Sequence, residues 1–139
     1  MRIFVLLVFL LPLAAAAQSK TDYKNAMAKF QKFYNAGRGD SINAMFGHGW
    51  DEMKSTKALW TNEDITTYLG KYGQIKSFRF IGIDDTDPNK VYVFETIFSK
   101  GGAKTTSLTL DKEYALDTFR FITTSDRIEE LVKQNKKGR

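Results

Sequence analysis

The hydrophobic period of the chain changes at Gly73, and that change restricts the fold more than any other feature. Before it, apolar residues recur at three-four spacing. Tyr23, Ala26, Met27, Phe30, Phe33 and Tyr34 form one stripe of an α-helix whose first amides Thr21 or Asp22 can cap. Ile65, Tyr68, Leu69 and Tyr72 form another, opened by Thr61 with Asp64 three residues on, the capping-box spacing, and closed by Gly73. Between them, GHGW (47–50) breaks the helical pattern, and a short amphipathic piece is expected around WDEMKSTKALW. Beyond Gly73, IKSFRFIGI (75–83), VYVFETIFS (91–99), TTSLTL (105–110) and ALDTFRFIT (115–123) alternate and are rich in β-branched and aromatic residues. The separators DDTDPNK, KGG and DKEY are turn chemistry, too short for parallel crossovers. SDRIEELVKQ predicts a closing helix capped by Ser125, with Ile128, Leu131 and Val132 on one side. Helices followed by an antiparallel meander specify an α+β domain: N-terminal helices on a strongly bent sheet of about four strands, then a short helix.

FYNAGRGDSINAMF (33–46) contains an RGD tripeptide inside this helical part. Gly37 suits the left-handed residue that ends a helix. Asp40 reads as the N-cap of a short second helix, with Ile42, Met45 and Phe46 on its apolar side. The tripeptide is therefore expected to be a junction between helices, not an adhesion signal.

MRIFVLLVFLLPLAAAAQSK carries one basic residue, Arg2, then an apolar run from Ile3 to Leu13, then small residues at Ala15 and Ala17. This is the pattern of a secretory signal peptide, residues 1–17, with cleavage expected after Ala17 and a single domain with a basic tail at 18–139. The run is shorter than the roughly 20 residues that span a bilayer, so no membrane insertion is expected after cleavage. The expected location is periplasmic or extracellular. There is no cysteine, which excludes a lipid anchor on cysteine, thiol chemistry and disulfide staples and leaves packing alone to hold the core. Much of the formal net charge of +5 sits in KQNKKGR, which reads as a solvated terminus, and nucleic acid is not an expected partner.

The pattern F-Y-N at 33–35, D-S-I at 40–42 and Phe46 resembles the opening of small secreted domains with the nuclear transport factor 2-like fold. These belong to a family of unknown function in Bacteroidetes-type bacteria, found alone or ahead of a serine-hydrolase domain. The resemblance continues in Gly73-Gln-Ile, Phe94-Glu-Thr-Ile-Phe98 and Ser107-Leu-Thr-Leu-Asp111. It implies a cone in which helices lie across a curved sheet and enclose a pocket. No hydrolase domain follows within this sequence, so a role fused to a catalytic neighbour is not expected to carry over.

Some pocket-bearing relatives of this fold use an Asp or His as base or acid. The single histidine, His48, lies between glycines near Trp50 and Asp51, so His48 with Asp51 is the candidate general base of a small isomerase- or hydrolase-like enzyme. One imidazole and scattered carboxylates are not a zinc pattern, and neither a G-x-S-x-G nor a phosphate-binding glycine loop occurs, so no metal or cofactor is expected. The favoured expectation is a non-catalytic module that binds a small apolar ligand or another protein. Its candidate ligand contacts are Trp50, Trp60, Tyr68, Tyr92, Phe94, Phe98 and Arg120. Val91, Val93 and Ile97 make the opposite side of the second strand apolar as well, so a homodimer through the outer sheet face is a further candidate. Arg79, Glu95 and Arg120 lie within strands, where a buried charge needs a partner.

Register decides which side chains share a face. A three-residue loop at KGG sets Phe94 opposite Leu108 and Tyr92 opposite Leu110. Tyr92, Phe94, Phe98, Leu108 and Leu110 then face inward, toward the helices carrying Phe30 and Trp50, with Glu95, Ser107 and Thr109 outward. A slip of one residue would instead put Glu95 among apolar neighbours.

Overall fold

The computed structural model describes residues 22–47, 60–86, 88–111, 115–121 and 125–138. Its elements follow the expected order: α1 (Asp22–Asn35), α2 (Gly39–Asn43), α3 (Asn62–Tyr72), β1 (Ile75–Asp84), β2 (Val91–Phe98), β3 (Gly102–Leu110), β4 (Leu116–Arg120) and α4 (Asp126–Lys137). The strands form one open antiparallel sheet in the order β1-β2-β3-β4. This is an α+β architecture. The expected amphipathic piece around 50–60 lies outside the described residues, apart from Trp60.

Local chemistry sets the helix ends. α1 closes in a Schellman motif: Gly37, at φ 70°, donates to the Tyr34 carbonyl at 3.0 Å, and Arg38 donates to that of Phe33 at 2.9 Å. α3 opens with the complete capping box, the Asp64 amide donating to Thr61 Oγ1 and the Thr61 amide to the Asp64 carboxylate. Ser125 caps α4 by accepting from the Ile128 amide at 3.2 Å. Asp40 is not a cap. α2 begins at Gly39, its N-cap position is Arg38, and no side chain caps it. The Asp40 carboxylate instead bonds to Arg38, at 3.3 Å. Gly39 is the reason for the earlier start: a Cβ there would lie 2.7 Å from the Thr61 carbonyl carbon, so only glycine lets α2 meet the entry to α3. Asn43 completes that joint, exchanging two hydrogen bonds with the backbone of Trp60. With Gly39 buried and Arg38 paired to Asp40, the RGD tripeptide is a helix junction.

α1 lies on the inner face of the sheet. Phe30 stacks on Phe119 at 3.6 Å, and Tyr23 stacks on Tyr92 at 4.5 Å. Met27, Phe30, Tyr34, Ile42, Ile65, Phe94, Phe98 and Leu108 form the buried centre. Two segments far apart in sequence are tied at its edge. Asn35 donates to the Ile75 carbonyl at 2.9 Å and accepts from the Ile75 amide at 2.8 Å, while the Tyr34 hydroxyl donates to the Gly73 carbonyl at 3.0 Å. Asn35 thus stands in for a neighbouring strand at the open edge of β1 and satisfies backbone groups that would otherwise be orphaned.

The hairpin register differs from expectation by two residues. Tyr92 pairs with Leu108, Phe94 with Thr106 and Phe98 with Gly102, so the loop is Ser99–Gly101 and not KGG. Tertiary bonds hold this loop. The Ser99 amide donates to the Gln74 carbonyl, and those of Lys100 and Gly101 donate to the carbonyl of Tyr72, at the end of α3. A two-residue shift preserves sidedness, so Phe94, Phe98 and Leu108 still face the helices. Glu95 sits opposite Thr105 on the outer face and pairs with Arg79 at 3.3 Å.

α4 lies against that outer face. Leu131 packs over Gly82, where a Cβ would come within 3.0 Å, and Asn135 bonds to the Arg79 side chain. Val93 and Ser107, both on this face, are buried. No helix among the described residues is long and apolar enough to cross a membrane.

Candidate functional site

The expected ligand contacts do not gather into one place. Trp60, Tyr68 and Phe98 converge on Phe121, at ring-centroid distances of 5.4, 4.9 and 5.7 Å, and Tyr72 joins them at 6.2 Å. Phe94 is fully buried among Tyr23, Phe78 and Phe80, and Tyr92 is half-buried on Tyr23. These aromatic rings fill the space between helices and sheet. Arg120 projects from the opposite, outer face, next to Ser107 in the register. His48, Trp50 and Asp51 lie outside the described residues.

An open groove of about 540 Å³ lies beside the aromatic core, between the first half of α1, the end of α2 and the start of β4. Ala26, Ala28, Ala44, Met45, Ala115 and Leu116 form its apolar lining, and Asp22, Asn25 and Lys29 its polar part. Its cause is compositional. Four of these residues are alanines, which end at Cβ and leave space that longer side chains would fill. Ala26, Met45 and Leu116 also pack on the core, so they form the wall that groove and core share. The β4 wall is held by a parallel bridge between Phe46 and Leu116 and by the Leu116 amide donating to the Met45 carbonyl at 3.0 Å. Asp111 steadies the approach to β4 by accepting from the Ala115 amide at 2.9 Å.

None of these lining residues is legible as a site from sequence. Ala26 and Ala28 read as good helix formers, and only their convergence with Ala44, just past α2, and Ala115, just before β4, makes a concavity. Phe121 is legible as a strand aromatic, but its place at the hub of the ring cluster depends on the packing of α3.

The ionisable groups with displaced pKa values have structural causes. Burial pushes the Tyr34 phenol up to about 12, with nearby Tyr72 and Tyr68 adding to the effect. Hydrogen bonds to Thr61, backbone first, hold the Asp64 carboxyl below its ordinary value. The Arg38 side-chain hydrogen bond does the same at Asp40. Among the described residues, no group of three or more His, Cys, Asp or Glu side chains is placed to hold a metal ion. Comparison of the chain with protein-family models, with curated proteins and with solved structures finds no match.

Proposed function

We propose that the mature chain is an exported binding module of the nuclear transport factor 2-like type, without catalytic activity, that holds a small apolar ligand in the alanine-lined groove. The groove carries this reading. It is concave, lined by six apolar and three polar residues and backed by the core, and its volume falls in the usual range of small-molecule sites, about 300–1,000 Å³. The cone assignment is supported by the three N-terminal helices packing on one face of a four-stranded meander. It is supported too by the bonding of F-Y-N to Gly73-Gln-Ile, two of the segments that carry the family resemblance. Binding is favoured over catalysis because the displaced pKa values among the described residues arise from burial at Tyr34, a helix cap at Asp64 and a surface hydrogen bond to Arg38 at Asp40.

The test is saturable uptake of the uncharged fluorophore N-phenyl-1-naphthylamine by the mature protein. Fluorescence should rise to a plateau, and Ala44→Trp, at an exposed wall position, should abolish the rise while leaving the melting temperature unchanged. A linear, non-saturating signal, or undiminished binding in the variant, would reject the groove as the site. Export is tested by the intact mass of protein recovered outside the cytoplasm. A mass beginning at Gln18 is expected, and retention of Met1 would refute cleavage.

A further inference from the structure

A second groove, of about 480 Å³, lies on the outer face, between the end of β1, β3, β4 and the start of α4. Its chemistry is unlike that of the first. Asp84 and Asp117 bring carboxylates to it, Arg120 a guanidinium, and Thr109 and Thr118 hydroxyls. The opposite charges are not spent on each other. Asp117 and Arg120 sit three residues apart on one strand, yet neither forms an ion pair with any described residue. Asp117 accepts one hydrogen bond, from Thr109 at 3.2 Å, and Thr109 shares a second with Thr118 at 2.8 Å.

Asp84 is the stronger indication. It is only 7% exposed, a costly place for a carboxylate. Its Oδ1 accepts from both the amide and the hydroxyl of Thr86, but Oδ2 receives no hydrogen bond from a described residue. That oxygen is not sealed inside the protein, and Asp84 lines the groove.

The sheet fixes how far apart the poles stand. Gly82, Val93, Ser107 and Arg120 are successive partners across the four strands, and Asp84 lies two residues beyond Gly82 on β1. Three strand spacings of about 4.8 Å across the sheet and two residues of about 3.3 Å along β1 put the Asp84 and Arg120 backbones roughly 16 Å apart. An extended tripeptide spans about 10 Å, and the Asp and Arg side chains can close the difference.

We infer that this outer groove binds a short peptide with free termini, its ammonium group at Asp84 and its carboxylate at Arg120. A guanidinium meets a carboxylate in a two-bond fork, and the free oxygen of Asp84 accepts from an ammonium group. Asp117 remains as an acceptor for a peptide amide. This site is independent of the alanine-lined groove, and neither needs the other to be occupied.

The probe is triglycine, titrated into the mature protein and followed by amide chemical shifts. Saturable shifts are expected at residues 84–91, 107–109 and 117–120. Triglycine amide and N-acetyl-triglycine should each bind about tenfold more weakly, the loss expected for one hydrogen bond to a charged group. Arg120→Gln, at an exposed position, should weaken triglycine by about the same factor. It should not weaken triglycine amide further, a pattern that general damage to the fold would not produce. Uptake of N-phenyl-1-naphthylamine by Arg120→Gln should equal that of the wild type. The inference is overturned if triglycine gives no saturable shift at these residues, if the blocked peptides bind equally well, or if Arg120→Gln leaves triglycine affinity unchanged.

Discussion

Asn35→Ala removes the side chain that stands in for a strand at the edge of β1. Two hydrogen bonds are lost, to the Ile75 amide and the Ile75 carbonyl. The carbonyl keeps Gln31 Nε2 at 3.0 Å, so it is not orphaned. The amide is, and Ile75 is only 1% exposed. Losing the bonds costs about 1 kcal/mol each, and leaving a buried donor unmet brings the cost toward ~3 kcal/mol. Alanine returns roughly 0.5 kcal/mol through its better helix propensity in the last turn of α1. The net expectation is a loss of about 2–3 kcal/mol, or ~10 °C in Tm for a domain of this size. Urea unfolding with linear extrapolation measures it, and the m-value should not change. Hydrogen exchange supplies the local readout: the Ile75 amide should lose protection while that of Val93, in the centre of the sheet, falls only with global stability. A stability loss under 0.5 kcal/mol, or an Ile75 amide that exchanges as in the wild type, would refute the claim that Asn35 seals this edge.

Phe94→Ala should cost about 3–5 kcal/mol in urea unfolding, because Phe94 is fully buried among three other rings; a cost near 1 kcal/mol would mean that it lines open space. Gly39→Ala should cost about 1–3 kcal/mol from the overlap with Thr61, whereas Asp40→Ala should leave Tm unchanged; the opposite ranking would restore Asp40 as the cap. Tyr34 makes stability fall in alkali. Its phenol titrates near 10.0 when unfolded and near 12 when folded, so burial favours the neutral form. The contribution, ~3 kcal/mol, is complete below pH 10 and is lost as pH rises from 10 toward 12. Tyr34→Phe should flatten the decline in stability between pH 10 and 12, and equal slopes in the two proteins would contradict it.

The helix ends were legible because they are local. Thr61 with Asp64, Ser125, Gly37 and Gly73 each act within a few residues, and each occupies its expected position. Strand alternation was legible for the same reason and correctly assigns the inner face. The loop position was not. Ser99, Lys100 and Gly101 are set by carbonyls at the end of α3, more than twenty residues away, which no turn preference encodes. Asp40 misled because a good capping residue lies one step inside a helix whose start is fixed by contact with Thr61. The alanine-lined groove was invisible for a related reason. It is defined by missing side-chain volume on α1, α2 and β4, and missing volume leaves no pattern in a sequence.

The most direct test of the binding-module account is an amide chemical-shift map of the mature protein titrated with N-phenyl-1-naphthylamine. The account predicts saturable shifts centred on residues 22–29, 44–45 and 115–116, the walls of the alanine-lined groove. Absence of saturable shifts, or shifts centred instead on Trp60, Tyr68 and Phe121, would contradict it.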